Sequence, residues 1–92
     1  MGLFSQKKKP SYHAYAVVTG AGSGIGRSFA LELAQRGGQI VCADINVQAA
    51  QETVDQICER TGQNAYAIQC DVGDKDAVQA LATQAEILLG HP

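Results

Sequence analysis

No stretch of this 92-residue chain is apolar over the roughly 20 residues that a bilayer-crossing helix needs, so a helical membrane span is excluded. Charge of one sign is missing as well. Seven Lys and Arg stand against nine Asp and Glu, a net of -2, which indicates neither nucleic acid nor an anionic membrane as a partner. Cysteine and histidine are scarce and scattered. Cys42, Cys58 and Cys70 form no CxxC pair, and His13 and His91 stand at opposite ends, so the clustered ligands of a metal site are absent from the pattern. Cys42 and Cys70 fall inside apolar runs, where a free thiol behaves as a small buried hydrophobe. Reduced structural thiols fit a cytoplasmic protein.

What is present is the composition of a small globular domain: 46% apolar residues and 17% charged. The length leaves room for one such domain and no more. Residues 1–14 differ from the rest. Lys7, Lys8 and Lys9 sit beside Pro10 in a polar stretch without periodicity, which reads as a flexible basic tail. The opening Met1-Gly2-Leu3-Phe4-Ser5-Gln6 has Gln6 where an acylation signal wants Ser or Thr. No apolar signal-peptide core follows the lysines.

From Tyr15 onward two patterns alternate. Ala16-Val17-Val18 is a short apolar run closed by glycines, as a buried parallel strand would be. Ile25, Phe29, Ala30, Leu33 and Ala34 then recur at helical spacing, with Gly37 and Gly38 supplying a left-handed stop. Ile40–Ala43 is a second strand ending at Asp44. A second helix runs from about Asn46, with Val47, Ala50, Val54 and Ile57 on one face and Gly62 after its end. Ala65–Ile68 leads to Cys70 and Asp71 as a third strand. Asp74 can cap a last helix, whose predicted face is Ala77, Val78, Leu81, Ala82, Ala85, Leu88 and Leu89, stopped by Gly90. The order is βαβαβα. Such alternation implies a parallel sheet with right-handed crossovers, the first half of a Rossmann-like, doubly wound α/β fold over residues 15–92.

The most informative stretch is Thr19-Gly20-Ala21-Gly22-Ser23-Gly24-Ile25-Gly26. It follows a strand and opens a helix. Glycines there make the tight turn, admit a pyrophosphate against bare backbone and let helix and strand pack closely, while amides at the helix start hold the phosphates. A GxGxxG spacing fails in both registers, because Ile25 and Arg27 stand where its last glycine is required. A phosphate loop ending in Gly-Lys-Ser/Thr fails too. The pattern that fits is TGxxxGxG, with Gly20, Gly24 and Gly26.

That pattern closely resembles the short-chain dehydrogenase/reductase family. The resemblance implies that Gly20, Ser23, Gly24, Ile25 and Gly26 line the diphosphate and adenosine ribose of a nicotinamide cofactor. Asp44 closes the second strand about 20 residues after the turn, where an acid bonds the ribose hydroxyls of NAD and repels the 2′-phosphate of NADP. Basic residues that favour NADP are missing at Ser23 and at Ile45, which joins the cofactor set directly after the acid. NAD is therefore expected, and NADP is the lesser alternative. Asp71 and Val72, after the third strand, match the acid and apolar pair that the family sets against adenine. Arg27 is expected on the helix surface, with phosphate contact as the other reading.

The family's catalytic Tyr-x-x-x-Lys is not here. Four residues after Tyr12, Tyr15 and Tyr66 stand Ala16, Thr19 and Cys70. The expected function is the N-terminal cofactor-binding part of an NAD-dependent oxidoreductase that moves hydride between NAD(H) and an alcohol or carbonyl. The isolated chain is expected to be inactive. A non-catalytic NAD-binding module and a nonfunctional truncated product are the alternatives. The resemblance also implies a homo-oligomer for the complete protein, while substrate and reaction direction are not readable. In the strand order 3-2-1-4, a chain without the fourth strand is expected to leave the first with an open apolar edge.

Overall fold

The computed structural model describes residues 2–8 and 14–88, with side chains described over 15–88. Its elements run β1 (Gly2–Lys8), β2 (Ala14–Thr19), α1 (Gly24–Gln35), β3 (Gln39–Asp44), α2 (Val47–Thr61), β4 (Ala65–Gln69) and α3 (Lys75–Leu88). They form one four-stranded sheet in the order β1-β2-β3-β4. β2, β3 and β4 are parallel, with Val17 opposite Val41 and Val41 opposite Tyr66. Three parallel strands alternating with three helices are the βαβαβα half-fold anticipated from the sequence.

One expectation is overturned at the N-terminus. Gly2–Lys8 is not a tail: it pairs antiparallel with β2 from Gly2 opposite Thr19 to Lys8 opposite Ala14, with a bulge between Leu3 and Ser5. The edge of β2 is consequently not open. Its backbone amides and carbonyls would otherwise face solvent beside an apolar core, and an adjacent strand satisfies them. Residues 9–13 of the expected tail, and the predicted Leu89 and Gly90 of the last helix, lie outside the described residues.

The strands are apolar on both sides because both faces are covered. On one, Ala16, Val18, Ile40 and Cys42 pack against Ala30 and Ala34 of α1 and Ala50, Val54 and Ile57 of α2. On the other, Tyr15, Val17, Val41 and Ala43 pack with Cys70 and with Leu81 and Ala85 of α3. Small alanines on α1 and α2 let both helices approach the sheet closely. The predicted face of α3 is only partly buried. Ala82 and Leu88 are exposed, since α3 is the single helix on its side among the described residues.

Helix ends follow local chemistry. Asn46 caps α2, its side-chain oxygen accepting from the Ala49 amide at 3.1 Å. Asp74 caps α3 by accepting from the Asp76 amide at 2.9 Å and the Ala77 amide at 3.3 Å. After α1, the Gly37 and Gly38 amides donate back to the Ala34 and Leu33 carbonyls at 2.9 and 3.1 Å, closing the helix as predicted.

Candidate functional site: the glycine turn and the end of the second parallel strand

The site lies beyond the C-terminal ends of the parallel strands, where doubly wound sheets bind ligands. β2 ends at Thr19 and the chain enters the turn through Gly20 at φ 67°, a left-handed backbone that costs glycine nothing. The Ala21 amide donates to the Ala43 carbonyl at 3.1 Å, which stitches the turn to the end of β3. A Cβ on Gly22 would stand 2.7 Å from the Ala49 Cβ and 2.8 Å from Asp44 Oδ2. One on Gly26 would stand 1.9 Å from the Gly20 carbonyl oxygen. The sequence pattern singles out Gly20, Gly24 and Gly26, and it leaves out Gly22, which has no more room for a side chain. The signal for Gly22 was only its place in the run of glycines.

α1 begins with its positive end open. Ser23 is the N-cap residue in extended backbone, yet its side chain makes no cap bond, and no acid occupies the first turn. The Arg27 amide donates to the carbonyl of the N-cap residue Ser23 at 3.3 Å. The amides of Gly24, Ile25 and Gly26 precede it and have no carbonyl one turn earlier to bond. Ser23, Gly24 and Ile25 are exposed, so this end faces solvent. Backbone donors combined with the helix dipole favour an anion there.

Asp44 sits against that turn. Its Oδ2 accepts from the Gly22 amide at 2.8 Å, and its Oδ1 accepts from the Asn46 amide at 2.9 Å. Each carboxylate oxygen has further acceptor capacity. The carboxylate is thereby fixed in orientation by backbone on both sides. β4 brings in the last predicted residues. The Cys70 amide donates to the Asp44 carbonyl at 3.0 Å, so Asp71 and Val72 emerge next to Asp44 and Ile45. Asp71 Oδ1 turns back to accept from the Gly73 amide at 2.9 Å. Ile25, Ile45 and Val72 are 72%, 62% and 62% exposed, three large apolar side chains at this one end of the sheet. Exposed apolar side chains around polar backbone are what a flat aromatic ligand part would cover.

Arg27 departs from its expected place on the surface. Its Nε donates to Thr53 Oγ1 at 2.8 Å, and its Nη2 reaches the Gly22 carbonyl at 2.6 Å, the Ala49 carbonyl at 3.2 Å and Glu52 Oε1 at 3.2 Å. Thr53, fully buried, donates its hydroxyl proton to the Ala21 carbonyl at 2.6 Å. Sequence reasoning missed Thr53. The available signal was a polar residue in phase with the apolar Ala50, Val54 and Ile57.

The thiols take no part in this arrangement. Burial pushes the Cys42 thiol up to about 12, against a smaller opposing pull from Arg27. Burial also raises Cys70, and Asp71 and Asp74 add to it. Cys58 is exposed. No group of three or more His, Cys, Asp or Glu among the described residues is arranged to hold a metal. No described helix is long and apolar enough to cross a membrane.

The chain is similar in sequence and fold to known proteins. The family profile described as short chain dehydrogenase matches residues 14–91. The 7alpha-hydroxysteroid dehydrogenase of Escherichia coli (strain K12) is 43% identical over 75 residues, covering 82% of this chain and 29% of that protein. Versicolorin reductase of Emericella nidulans is 49% identical over 77 residues, covering 83% and 29%. Among solved structures, hydroxysteroid dehydrogenase from Escherichia coli superposes with a TM-score of 0.76 at 40% identity, covering 80% of this chain and 31% of that one. A short-chain type dehydrogenase/reductase from Mycobacterium marinum gives 0.78 at 37% identity, covering 83% and 30%. The chain thus spans under a third of the length of these relatives. With the family profile matching residues 14–91, the chain belongs to the short-chain dehydrogenase family, whose N-terminal part it matches.

Proposed function

We propose that this chain is the cofactor-binding part of an oxidoreductase that moves hydride between NAD(H) and an alcohol or carbonyl substrate. The observation that carries this reading is the 2.8 Å bond from the Gly22 amide to Asp44, which sets a carboxylate beside an open helix start. The missing room for a Cβ at Gly22 and Gly26 fits a turn kept bare for a ligand and for close packing. The amides of Gly24, Ile25 and Gly26 would hold the diphosphate. Asp44 would accept the adenosine ribose hydroxyls, and Ile45 and Val72 would flank adenine, with Asp71 toward its amino group.

When bound, the nicotinamide ring supplies the hydride donor or acceptor. The residues here bind and orient it, and the proton-transferring Tyr-x-x-x-Lys is not among these 92 residues. A 2′-phosphate would stand against the Asp44 carboxylate, and neither Ser23 nor Ile45 brings a compensating positive charge. NAD is the cofactor this favours over NADP.

Titration calorimetry with both cofactors tests it. A hydrogen bond to a charged group is worth about 1.5–3 kcal/mol, and every ~1.4 kcal/mol is tenfold in affinity. Asp44→Ala should therefore weaken NAD by about tenfold or more and NADP far less. Equal losses for the two cofactors would remove Asp44 from the ribose site.

A further inference from the structure

Arg27 and Thr53 touch neither the open helix start nor the Asp44 carboxylate, yet they hold the turn that joins the two. Four backbone groups of residues 21 and 22 have fixed partners. The Ala21 amide is bonded to the Ala43 carbonyl, and the Gly22 amide to Asp44. The Ala21 carbonyl accepts from Thr53, and the Gly22 carbonyl accepts from Arg27. Thr53 has a single hydroxyl proton. Its 2.6 Å contact to the Ala21 carbonyl outcompetes the 3.4 Å contact to the Ala49 carbonyl, and its lone pair receives the Arg27 Nε–H. The two side chains are therefore one connected unit anchored on α2 through the Ala49 carbonyl and Glu52.

Direction matters more than strength here. A carbonyl oxygen that rotated into the crevice would place a negative dipole end against a diphosphate and remove a donor from it. The Ala21 carbonyl is instead held by Thr53 of α2, and the Gly22 carbonyl by Arg27, whose guanidinium is itself bonded to α2. The guanidinium side chain is only 24% exposed and is ion-paired with Glu52 at 3.2 Å.

We propose that Arg27 and Thr53 are a positioning pair for the diphosphate: by holding the Gly22 and Ala21 carbonyls they fix the turn that leads into α1, and so keep the open amides of Gly24, Ile25 and Gly26 in place for it. This rests on the cofactor reading above. The pair touches no part of the ligand and acts through the backbone of the turn.

The test uses the whole isotope-labelled chain, read by NMR, with NAD as one probe and adenosine, which lacks the diphosphate, as the other. Amide shifts at Ser23–Gly26 report the diphosphate end, and those at Ile45 and Val72 report the adenosine end. Arg27→Met keeps the stem and removes the fork, while Thr53→Val keeps the volume and removes the hydroxyl. Each should weaken NAD at least tenfold while changing adenosine less than twofold, and Thr53→Ser should restore wild-type affinity. Arg27→Lys keeps the charge without the forked geometry and should still lose several-fold for NAD. Because its side chain lies outside the core, Arg27→Lys carries the test if Thr53→Val does not fold. Variants that bind NAD as the wild type does, or that lose NAD and adenosine equally, overturn the pair alone. A wild-type chain that binds neither probe overturns the cofactor reading and the pair with it.

Discussion

Gly26→Ala is the sharpest steric test of the turn. The added methyl carbon would stand 1.9 Å from the Gly20 carbonyl oxygen and 2.6 Å from its carbonyl carbon. Real Cβ atoms essentially never come within 3.0 Å, so helix and turn must separate by about 1.1 Å, the difference of those distances. Neither side can give cheaply. Next to Gly20, Ala21 is held through its amide by Ala43 and through its carbonyl by Thr53, at 3.1 and 2.6 Å, and Gly22 is held by Asp44 at 2.8 Å. Forcing an extra methyl into close packing costs ~1–3 kcal/mol. Stretching one or two of these bonds adds ~0.5–1.5 kcal/mol each. A total of about 3 kcal/mol is a large part of the ~5–14 kcal/mol that stabilises a domain of this length. At ~4–8 °C per kcal/mol, the melting midpoint should fall by about 12–24 °C. Gly24→Ala is the internal control. Gly24 has φ +58° and nothing within 4 Å of the added atom, so only the left-handed backbone is penalised, at ~1–2 kcal/mol. Melts followed by far-UV circular dichroism rank the two. Equal midpoints, or a larger loss for Gly24→Ala, would refute the close approach of α1 to the turn.

Four other outcomes follow from the fold. Deleting residues 1–8 removes β1 and bares the edge of β2, so light scattering should report self-association that the whole chain does not show; a monomeric deletion variant argues against the pairing. Ile57 is fully buried between α2 and the sheet, and Ile57→Ala should cost ~2–5 kcal/mol in urea denaturation, with a value under 1 arguing that the helix is seated otherwise. A thiol reagent should modify Cys58 in the folded chain and reach Cys42 and Cys70 only on unfolding. Cys42 also predicts an alkaline loss. Its thiol is raised from 9.0 to about 12 by burial, so its contribution is complete below pH 9 and declines as pH rises toward 12, an effect that Cys42→Ala should abolish.

Much of the turn and of the strand end beside it was legible in one dimension because both depend on local chemistry. Gly20, Gly24 and Gly26 announce themselves by spacing, since a strand-to-helix turn that exposes amides needs residues without side chains at those steps. Asp44 is found by counting along a βαβ unit, and Asn46, Asp74, Gly37 and Gly62 by the rules of helix ends. β1 was not legible. An isolated Lys-rich segment has no periodic apolar face, and only the presence of an unpaired strand edge makes it worth ordering as a strand. The face of α3 was over-read for a related reason: its apolar pattern is wider than the surface offered to it, which leaves Ala82 and Leu88 exposed.

By itself, then, the sequence determined the alternation of strands and helices, the bare turn and the carboxylate that follows it, because each depends on backbone conformation or on a repeat within a few residues. Only the tertiary structure decided that Gly22 has no room for a side chain, that Arg27 bonds across to α2, and that a buried hydroxyl from Thr53 holds the Ala21 carbonyl. Those contacts join positions 22 to 32 residues apart, and no local pattern encodes which distant backbone carbonyl a side chain will meet. Packing α2 against the end of β3 and the turn creates them.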